Sequence, residues 1–151
     1  MQTHHSNITS LQAEGINKIF ERGQLAHLGC YANKEVYIVP ITYVYLEGFL
    51  YSHSQPGKKI KMMRKHPDIC IQVEEVQNYF QWKSAIAWGR YEELEGDQAA
   101  AAMRLIIRKI AKNMNERQIS ELEVDLEAML ETAVIYRMRI KKATGRFETF
   151  D

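Results

Sequence analysis

The sequence has few of the residues that would make a disulfide scaffold, a metal knuckle or a highly charged binding surface. It contains two cysteines, three prolines and eight glycines in 151 residues, and its net charge is +1. Cys30 and Cys70 lie 40 residues apart without a close Cys or His neighbour, which argues against a zinc knuckle or a redox pair. Balanced charge provides no global field for nucleic acid or an acidic membrane, so an anion needs a local cluster of cations.

Long apolar runs are also missing. The longest, Val36 to Leu46, is too short to cross a bilayer as a helix, and the first residues lack the pattern of a secretory signal. We therefore expect one cytoplasmic domain over residues 1–151, with 46% apolar residues to form its core. His4 and His5 lie in a polar segment without a neighbouring ligand residue, and no metal site is predicted there.

Periodicity predicts helices on both sides of a β-rich middle. Helical spacing of apolar residues predicts a first helix over about residues 8–22, a short helix from Lys58 to His66 and a helical insertion over about residues 97–131. Runs of β-branched and aromatic residues predict six strands with hairpin-like connections, which favours a closed or nearly closed antiparallel barrel, mainly β with flanking helices. The predicted strands are Leu25 to Tyr31, Val36 to Leu46, Phe49 to His53, Ile69 to Glu74, Tyr79 to Leu94 and Ala133 to Lys141.

Two local features refine this prediction. Pro40 lies inside the second predicted strand, and because proline cannot donate to a ladder it indicates an edge, a bulge or a place where a ligand replaces a strand partner. Glu47-Gly48 predicts a tight hairpin. The absence of a strand–helix rhythm and of glycine-rich phosphate motifs excludes Rossmann and P-loop folds.

The basic segment that follows the third predicted strand is the most informative for function. Residues 48–67 contain no carboxylate, whereas five cations fall between Lys58 and Lys65. Lysines in the first turn of a helix oppose its dipole by about 0.3–1 kcal/mol each, so Lys58 and Lys59 favour a bound anion there. The hydroxyl of Ser54 and the backbone N–H groups after the Pro-Gly turn complete a predicted monophosphate site. A solvated basic helix face is the alternative.

Side chains outside this basic segment give weaker evidence of function. Trp82 and Ser84 share one face of a long strand and could supply an aromatic edge and a hydroxyl to a ligand, although core packing is the alternative for Trp82. His27, His53 and His66 are candidate bases, yet no serine lies in a nucleophile-elbow context. The lack of a serine in such a context argues against hydrolase chemistry.

Short motifs along the chain form an ordered set. They are Gly23-Gln-Leu-Ala26, Val39-Pro-Ile-Thr-Tyr43, Leu50-Tyr-Ser-His-Ser54, Gly57-Lys-Lys-Ile60, His66-Pro67, Trp82-Lys-Ser84 and Gly89-Arg90. The set resembles the flavin-nucleotide-binding proteins related to pyridoxamine 5'-phosphate oxidase, most closely the branch named for 5-nitroimidazole resistance. The resemblance extends from the first helix through Ala143-Thr-Gly-Arg146. It implies a six-stranded antiparallel split β-barrel of the FMN-binding type and a homodimer with FMN between the subunits.

The resemblance also implies roles for individual residues. The strand from Pro40 to Tyr43 matches one that runs along the isoalloxazine ring through backbone groups, and Ser54, Lys58 and Lys59 match the phosphate binders. His53 matches a histidine near the flavin that is implicated in the redox site. Trp82 and Ser84 match the strand that closes the site, from the same subunit or its partner. The implied cofactor-binding residues are Pro40, Ile41, Thr42, Tyr43, Ser54, Lys58, Lys59, Trp82 and Ser84.

The sequence differs from the oxidase at two sites that bear on which reaction the protein catalyses. Lys58 stands where the oxidase has an arginine, which keeps the charge but loses bidentate geometry, and the oxidase's C-terminal substrate-binding residues have no match. The sequence therefore predicts an FMN-dependent oxidoreductase that passes electrons from a reduced nicotinamide or another donor to a small acceptor, such as a nitroaromatic compound. The alternatives are a non-enzymatic flavin- or haem-binding protein, with His27, His53 or His66 as an axial ligand, and a structural dimer without cofactor.

Overall fold

The computed structural model describes residues 7–149, except for the side chains of residues 126, 127, 129 and 130. His4, His5 and the side chains of Leu126, Met129 and Leu130, which contribute to the predicted insertion, lie outside the described parts. The described elements are β1 (Asn7–Ser10), α1 (Ala13–Arg22), β2 (Leu25–Ala32), β3 (Glu35–Thr42), β4 (Val44–Leu46), β5 (Phe49–Ser54), α2 (Lys58–Lys65), β6 (Asp68–Asn78), β7 (Gln81–Leu94), α3 (Gly96–Ala111), α4 (Glu116–Leu130) and β8 (Val134–Thr149).

All described strands belong to one antiparallel sheet that rolls up on itself. The strand order is β3-β2-β6-β7-β8-β5-β4, and β1 pairs with β8. The strands at the two ends of this order, β3 and β4, are separated along the chain by Tyr43 alone, so the two edges of the sheet must lie close together. The predicted antiparallel barrel with flanking helices is therefore confirmed.

The strand count and several boundaries differ from the prediction, mainly because partners distant in sequence decide them. The sheet has eight strands rather than six, since residues 36–46 are divided at Tyr43 and residues 7–10 form a strand. The predicted first helix over residues 8–22 begins only at Ala13, because Asn7 to Ser10 pair with the far end of β8. β8 itself continues to Thr149, well beyond the predicted end at Lys141.

The local turns agree with the prediction. Glu47 and Gly48 both have positive φ angles, 48° and 84°, as a tight hairpin between β4 and β5 requires. Gly23 ends α1, and its N–H bonds the carbonyl of Ile19 at 3.0 Å. None of the described helices combines the length and the apolarity needed to cross a membrane.

Apolar side chains are buried on both sides of part of the sheet. The barrel interior forms one core together with α1 and α2, and a second core lies under α3. Val134, Ile135 and Tyr136 are consecutive yet all buried, since one face of β8 lines the barrel and the other meets α3. α2 is therefore held against the barrel, next to the end of β5.

Candidate cofactor site at the start of helix α2

The amino end of α2 has no internal partner for its backbone N–H groups. Gly57 precedes the helix in an extended conformation, no side chain caps it, and no acidic residue lies in the first turn. Such a helix start attracts an anion through its free N–H groups and its dipole. The Ser54 hydroxyl donates to the carbonyl of Gln55 at 2.7 Å, at the end of the preceding strand.

Lys58 has a counter-ion that the sequence did not reveal. Its ammonium pairs with Glu35 and lies 4.6 Å from the centre of the Tyr37 ring, and the hydrogen bond that it donates to the Glu35 carboxylate raises the pKa of the lysine. Glu35 lies at the start of β3, 23 residues earlier in the chain. Residues 48–67 lack acids, but the fold brings one from the β2–β3 turn.

Lys59 is the cation without a partner at this helix start. Its side chain is half-buried and, among the described residues, forms neither a hydrogen bond nor an ion pair. Desolvation lowers the pKa of Lys59, and the nearby Cys30 thiol opposes this shift. A half-buried ammonium without a counter-ion is unfavourable, and a bound anion would offset that cost.

His53 lies on β5, within electrostatic reach of Lys59. Its Nδ1 atom is buried without a hydrogen-bond partner. Desolvation and, to a smaller extent, the charge of Lys59 lower the pKa of His53 below its ordinary value. The imidazole is therefore neutral near pH 7, and among the described residues its buried Nδ1 atom has no hydrogen-bond partner.

The lowered pKa of His53 predicts a loss of stability in mild acid. The unfolded chain, with a histidine pKa near 6.5, binds a proton before the folded protein does, so the free energy of unfolding falls as pH drops below this value. His53→Gln should remove this component, which urea unfolding between pH 5 and pH 8 would measure. An unchanged pH profile in the variant would contradict the assignment.

The predicted flavin-contacting segment from Pro40 to Tyr43 spans the end of an edge strand. Among the described strands β3 pairs only with β2, so the prediction of an edge at Pro40 is confirmed. The side chains of Ile41 and Tyr43 are buried in the core, and the Tyr43 hydroxyl donates to the carbonyl of Phe20 at 2.7 Å. The segment thus offers a ligand the exposed side chains of Pro40 and Thr42, whereas the carbonyls of Thr42 and Tyr43 already accept hydrogen bonds from Ser52 and Lys109.

Trp82 and Ser84 have protein partners of their own on β7. The Trp82 indole N–H donates to the buried Glu148 carboxylate at 2.7 Å. The Ser84 hydroxyl accepts from the Gln72 side-chain amide at 2.9 Å, and the amide oxygen lies 3.3 Å from Nδ1 of His27. Gln72 and His27 were not linked to Ser84 by any pattern in the sequence.

The same chain does not bring Ser84 and the basic helix start together. The Ser84 side chain is hydrogen-bonded to Gln72, which pairs with His27 on β2. The Lys58 side chain is paired with Glu35, which lies opposite Ala32 at the other end of β2. His27 and Ala32 are five residues apart on this strand, which is about 17 Å at roughly 3.3 Å per residue. One chain therefore provides two separate halves of the predicted site.

The sheet exposes a group of large apolar side chains on the face that points away from the barrel interior. We call it the outer apolar face. It borders a pocket of about 420 Å³ that includes Val36, Ile38 and Trp88. Monomeric proteins seldom expose such contiguous apolar surface. The outer apolar face consists of Tyr31, Val36, Ile38 and Trp88, which are 45%, 72%, 66% and 39% exposed.

The rolled sheet with its flanking helices is the split β-barrel that the sequence resemblance implied. The chain belongs to the pyridoxamine 5'-phosphate oxidase family, whose profile matches residues 12–147. Because the match spans nearly all of the described residues, it includes the helix start, the edge strand and the outer apolar face.

Individual relatives agree with this family. An FAD-binding protein of Mesorhizobium loti is 31% identical, with a TM-score of 0.68 over 93% of this chain and 97% of that one. A putative 5-nitroimidazole antibiotic resistance protein of Bacteroides thetaiotaomicron is 18% identical, with a TM-score of 0.74 over 99% and 95% of the two chains, and shows the fold alone. Protein RA0666 of Rhizobium meliloti strain 1021 is 38% identical over 95 residues, a match that spans 63% of each chain.

Proposed function

We propose that the protein binds FMN, with the phosphate at the amino end of α2. The observation that carries this proposal is Lys59, a half-buried ammonium without a partner beside an uncapped helix start. Lys58 and Ser54 would complete the phosphate contacts, and Lys58 would then share its charge between the phosphate and Glu35. Flavin binding is also supported by the 31% identical FAD-binding relative.

The isoalloxazine ring would lie along the free edge of β3, from Pro40 to Tyr43. This placement is supported by the position of β3 at the edge of the sheet, which leaves one side of the strand open to a flat ligand. His53 would lie beside the ligand. Its lowered pKa disfavours protonation, so the neutral imidazole, with one N–H donor and one acceptor nitrogen, would take part by hydrogen bonding rather than by taking up a proton.

A second copy of the chain would complete the site. The outer apolar face is suited to bury itself against the same face of another subunit, and the separation within one chain supports a partner that contributes Trp82 and Ser84. We therefore propose a homodimer with flavin between its subunits.

The proposed activity is that of an oxidoreductase. A bound flavin supplies hydride and electron transfer between a donor, such as a reduced nicotinamide, and a small acceptor, such as a nitroaromatic compound. The protein's own residues would hold the phosphate, align the ring along β3 and leave one face open to the substrate.

Titration of the purified protein with FMN, recorded by flavin fluorescence, tests this proposal. We expect saturable binding at one FMN per chain, with FAD weaker. Lys59→Met should weaken FMN binding roughly tenfold to a hundredfold, because an ionic contact to phosphate is lost. The same variant should unfold no more easily than the wild type without ligand, since it removes an unpaired half-buried charge.

The matched control is Lys61→Met, which removes an exposed lysine of the same helix and should leave FMN affinity unchanged. Equal affinity in the two variants would place the phosphate elsewhere. An absorbance spectrum of the protein as purified completes the test, since an intense Soret band would support the haem-binding alternative in place of flavin.

A further inference from the structure

A second cavity lies at the other end of β3, where the α3–α4 pair covers the junction between β3 and β4. Its volume is about 370 Å³, and it is partly enclosed. Val44, Ile106, Ile110 and Met114 provide apolar walls. The size and the mostly apolar lining are typical of sites for small organic molecules.

Lys109 places one positive charge in this cavity. Its ammonium donates to the carbonyl oxygens of Gly23 and Tyr43, the latter at 3.0 Å, and lies 4.5 Å from the centre of the Tyr43 ring. A lysine ammonium has three N–H donors, so these two carbonyls leave one donor for a further partner. The two carbonyl contacts hold the charge in a fixed position.

No carboxylate neutralises Lys109 among the described residues. Burial lowers the pKa of Lys109, and the positive charge of Lys112 lowers it further. The described partners of this ammonium are two neutral carbonyl oxygens, which do not cancel its charge. The charge balance in this cavity therefore favours an anion, whereas its walls favour an apolar body.

Amide side chains at the rim of the cavity can orient a bound molecule through hydrogen bonds. Gln24, Asn113 and Gln118 line the cavity alongside the apolar residues, and each side-chain amide can both donate and accept a hydrogen bond. We propose that this cavity binds a small aromatic monocarboxylate, with the carboxylate on Lys109 and the ring against Ile106 and Ile110.

The competing explanation is that Lys109 only fastens α3 to the barrel through its two carbonyl contacts. If Lys109 only holds α3 against the barrel, the protein should bind a charged small molecule no more tightly than its neutral analogue. Benzoate and benzamide have the same ring and nearly the same shape, but only benzoate carries the charge. Their comparison on the unaltered protein therefore tests the proposal without any substitution.

The experiment is calorimetric titration of the purified protein with benzoate and with benzamide, in parallel with ligand-observed NMR. We expect saturable benzoate binding and at least tenfold weaker binding of benzamide. Lys109→Met should weaken benzoate binding at least tenfold, whereas Lys112→Met, at the exposed end of the same helix, should change it about twofold or less. A folded wild-type protein that binds neither compound, or binds both equally, would overturn the proposal.

Titrations with and without FMN separate this inference from the proposed flavin site. The cavity shares Thr42 and Tyr43 with the segment proposed to contact the ring, so competition is a real alternative. Benzoate binding that persists in protein saturated with FMN supports a separate site, whereas displacement of benzoate by one equivalent of FMN overturns it. If FMN fails to bind but benzoate binds through Lys109, the inference holds and the flavin proposal fails.

Discussion

If the proposed homodimer forms through the outer apolar face, Val36→Asp should convert it to a monomer and remove the proposed FMN binding in the same step. Val36 is 72% exposed in the single chain and lies in the outer apolar face. Burial of an unpaired carboxylate against a second copy of this face costs several kcal/mol, because the charge loses its water without gaining a partner. We expect the dimer dissociation constant to rise at least about a hundredfold, and flavin binding to fall with it.

The change in mass is measured by size-exclusion chromatography with light scattering, and flavin binding by fluorescence titration of the same fractions. Val124→Asp is the matched control, since Val124 is 71% exposed but lies on α4, away from the outer apolar face. It should leave both the mass and the FMN affinity unchanged. A Val36→Asp protein that stays dimeric would show that another surface forms the interface, and a monomer that still binds FMN would show that one chain suffices.

Gly89→Ala should destabilise the folded chain by at least about 3 kcal/mol, one of the larger effects a single methyl group can have. A Cβ atom at this position would lie 2.1 Å from the carbonyl oxygen of Arg139 and 2.9 Å from Cγ of Met138. The first contact is with the backbone of β8, which is fixed by its neighbours on both sides and cannot move alone. The ladder between β7 and β8 changes register between Trp88 and Gly89, so the clash falls at this irregularity of the ladder.

Gly15→Ala supplies the control, because the same methyl group meets only the end of a flexible side chain there, Cδ2 of Leu11 at 3.3 Å. Gly15 lies inside α1, where alanine favours the helix by about 0.5–1 kcal/mol relative to glycine. The two variants should therefore shift the midpoint of urea unfolding in opposite directions. Similar shifts in both would mean that β8 can move away from β7.

Features encoded in neighbouring residues could be predicted from the sequence. The apolar period of residues 13–22, the positive-φ turn at Glu47-Gly48 and the basic start of α2 each depend on a few consecutive residues. The structure has all three. The antiparallel barrel was also predicted, because the ordered motifs and the hairpin connections both indicate it.

Features that depend on distant partners could not be predicted in the same way. The pairing of Asn7 with Thr149 turned part of a predicted helix into a strand, and no local pattern contains that partner. The ion pair between Lys58 and Glu35 has the same origin. Lys109 did carry a signal, since it follows Ile106 by three residues along the apolar stripe of α3, where a cation is unusual.

The candidate site was predicted as a list of residues rather than as an arrangement. The residues at the start of α2 adjoin His53 in the structure, but Ser84 lies near the other end of the barrel. The sequence alone could not show that these groups lie far apart, because the position of a residue along the barrel depends on the register in which its strand pairs with its neighbours. Whether the separated residues meet across a dimer is a matter for the Val36→Asp experiment.

The central position of β8 also determines how the chain must fold. β5 belongs to the first half of the chain and pairs with β4 on one side, yet its partner on the other side is β8, where Phe49 pairs with Arg139. The hairpins β2–β3, β4–β5 and β6–β7 form from strands that are neighbours in the chain, whereas β1, β5 and β7 each also pair with β8. Loop closure over such distances is slow compared with hairpin formation. A nascent chain would therefore leave the ribosome with β5 paired on one side only, and closure of the barrel would follow only when β8 had been synthesised.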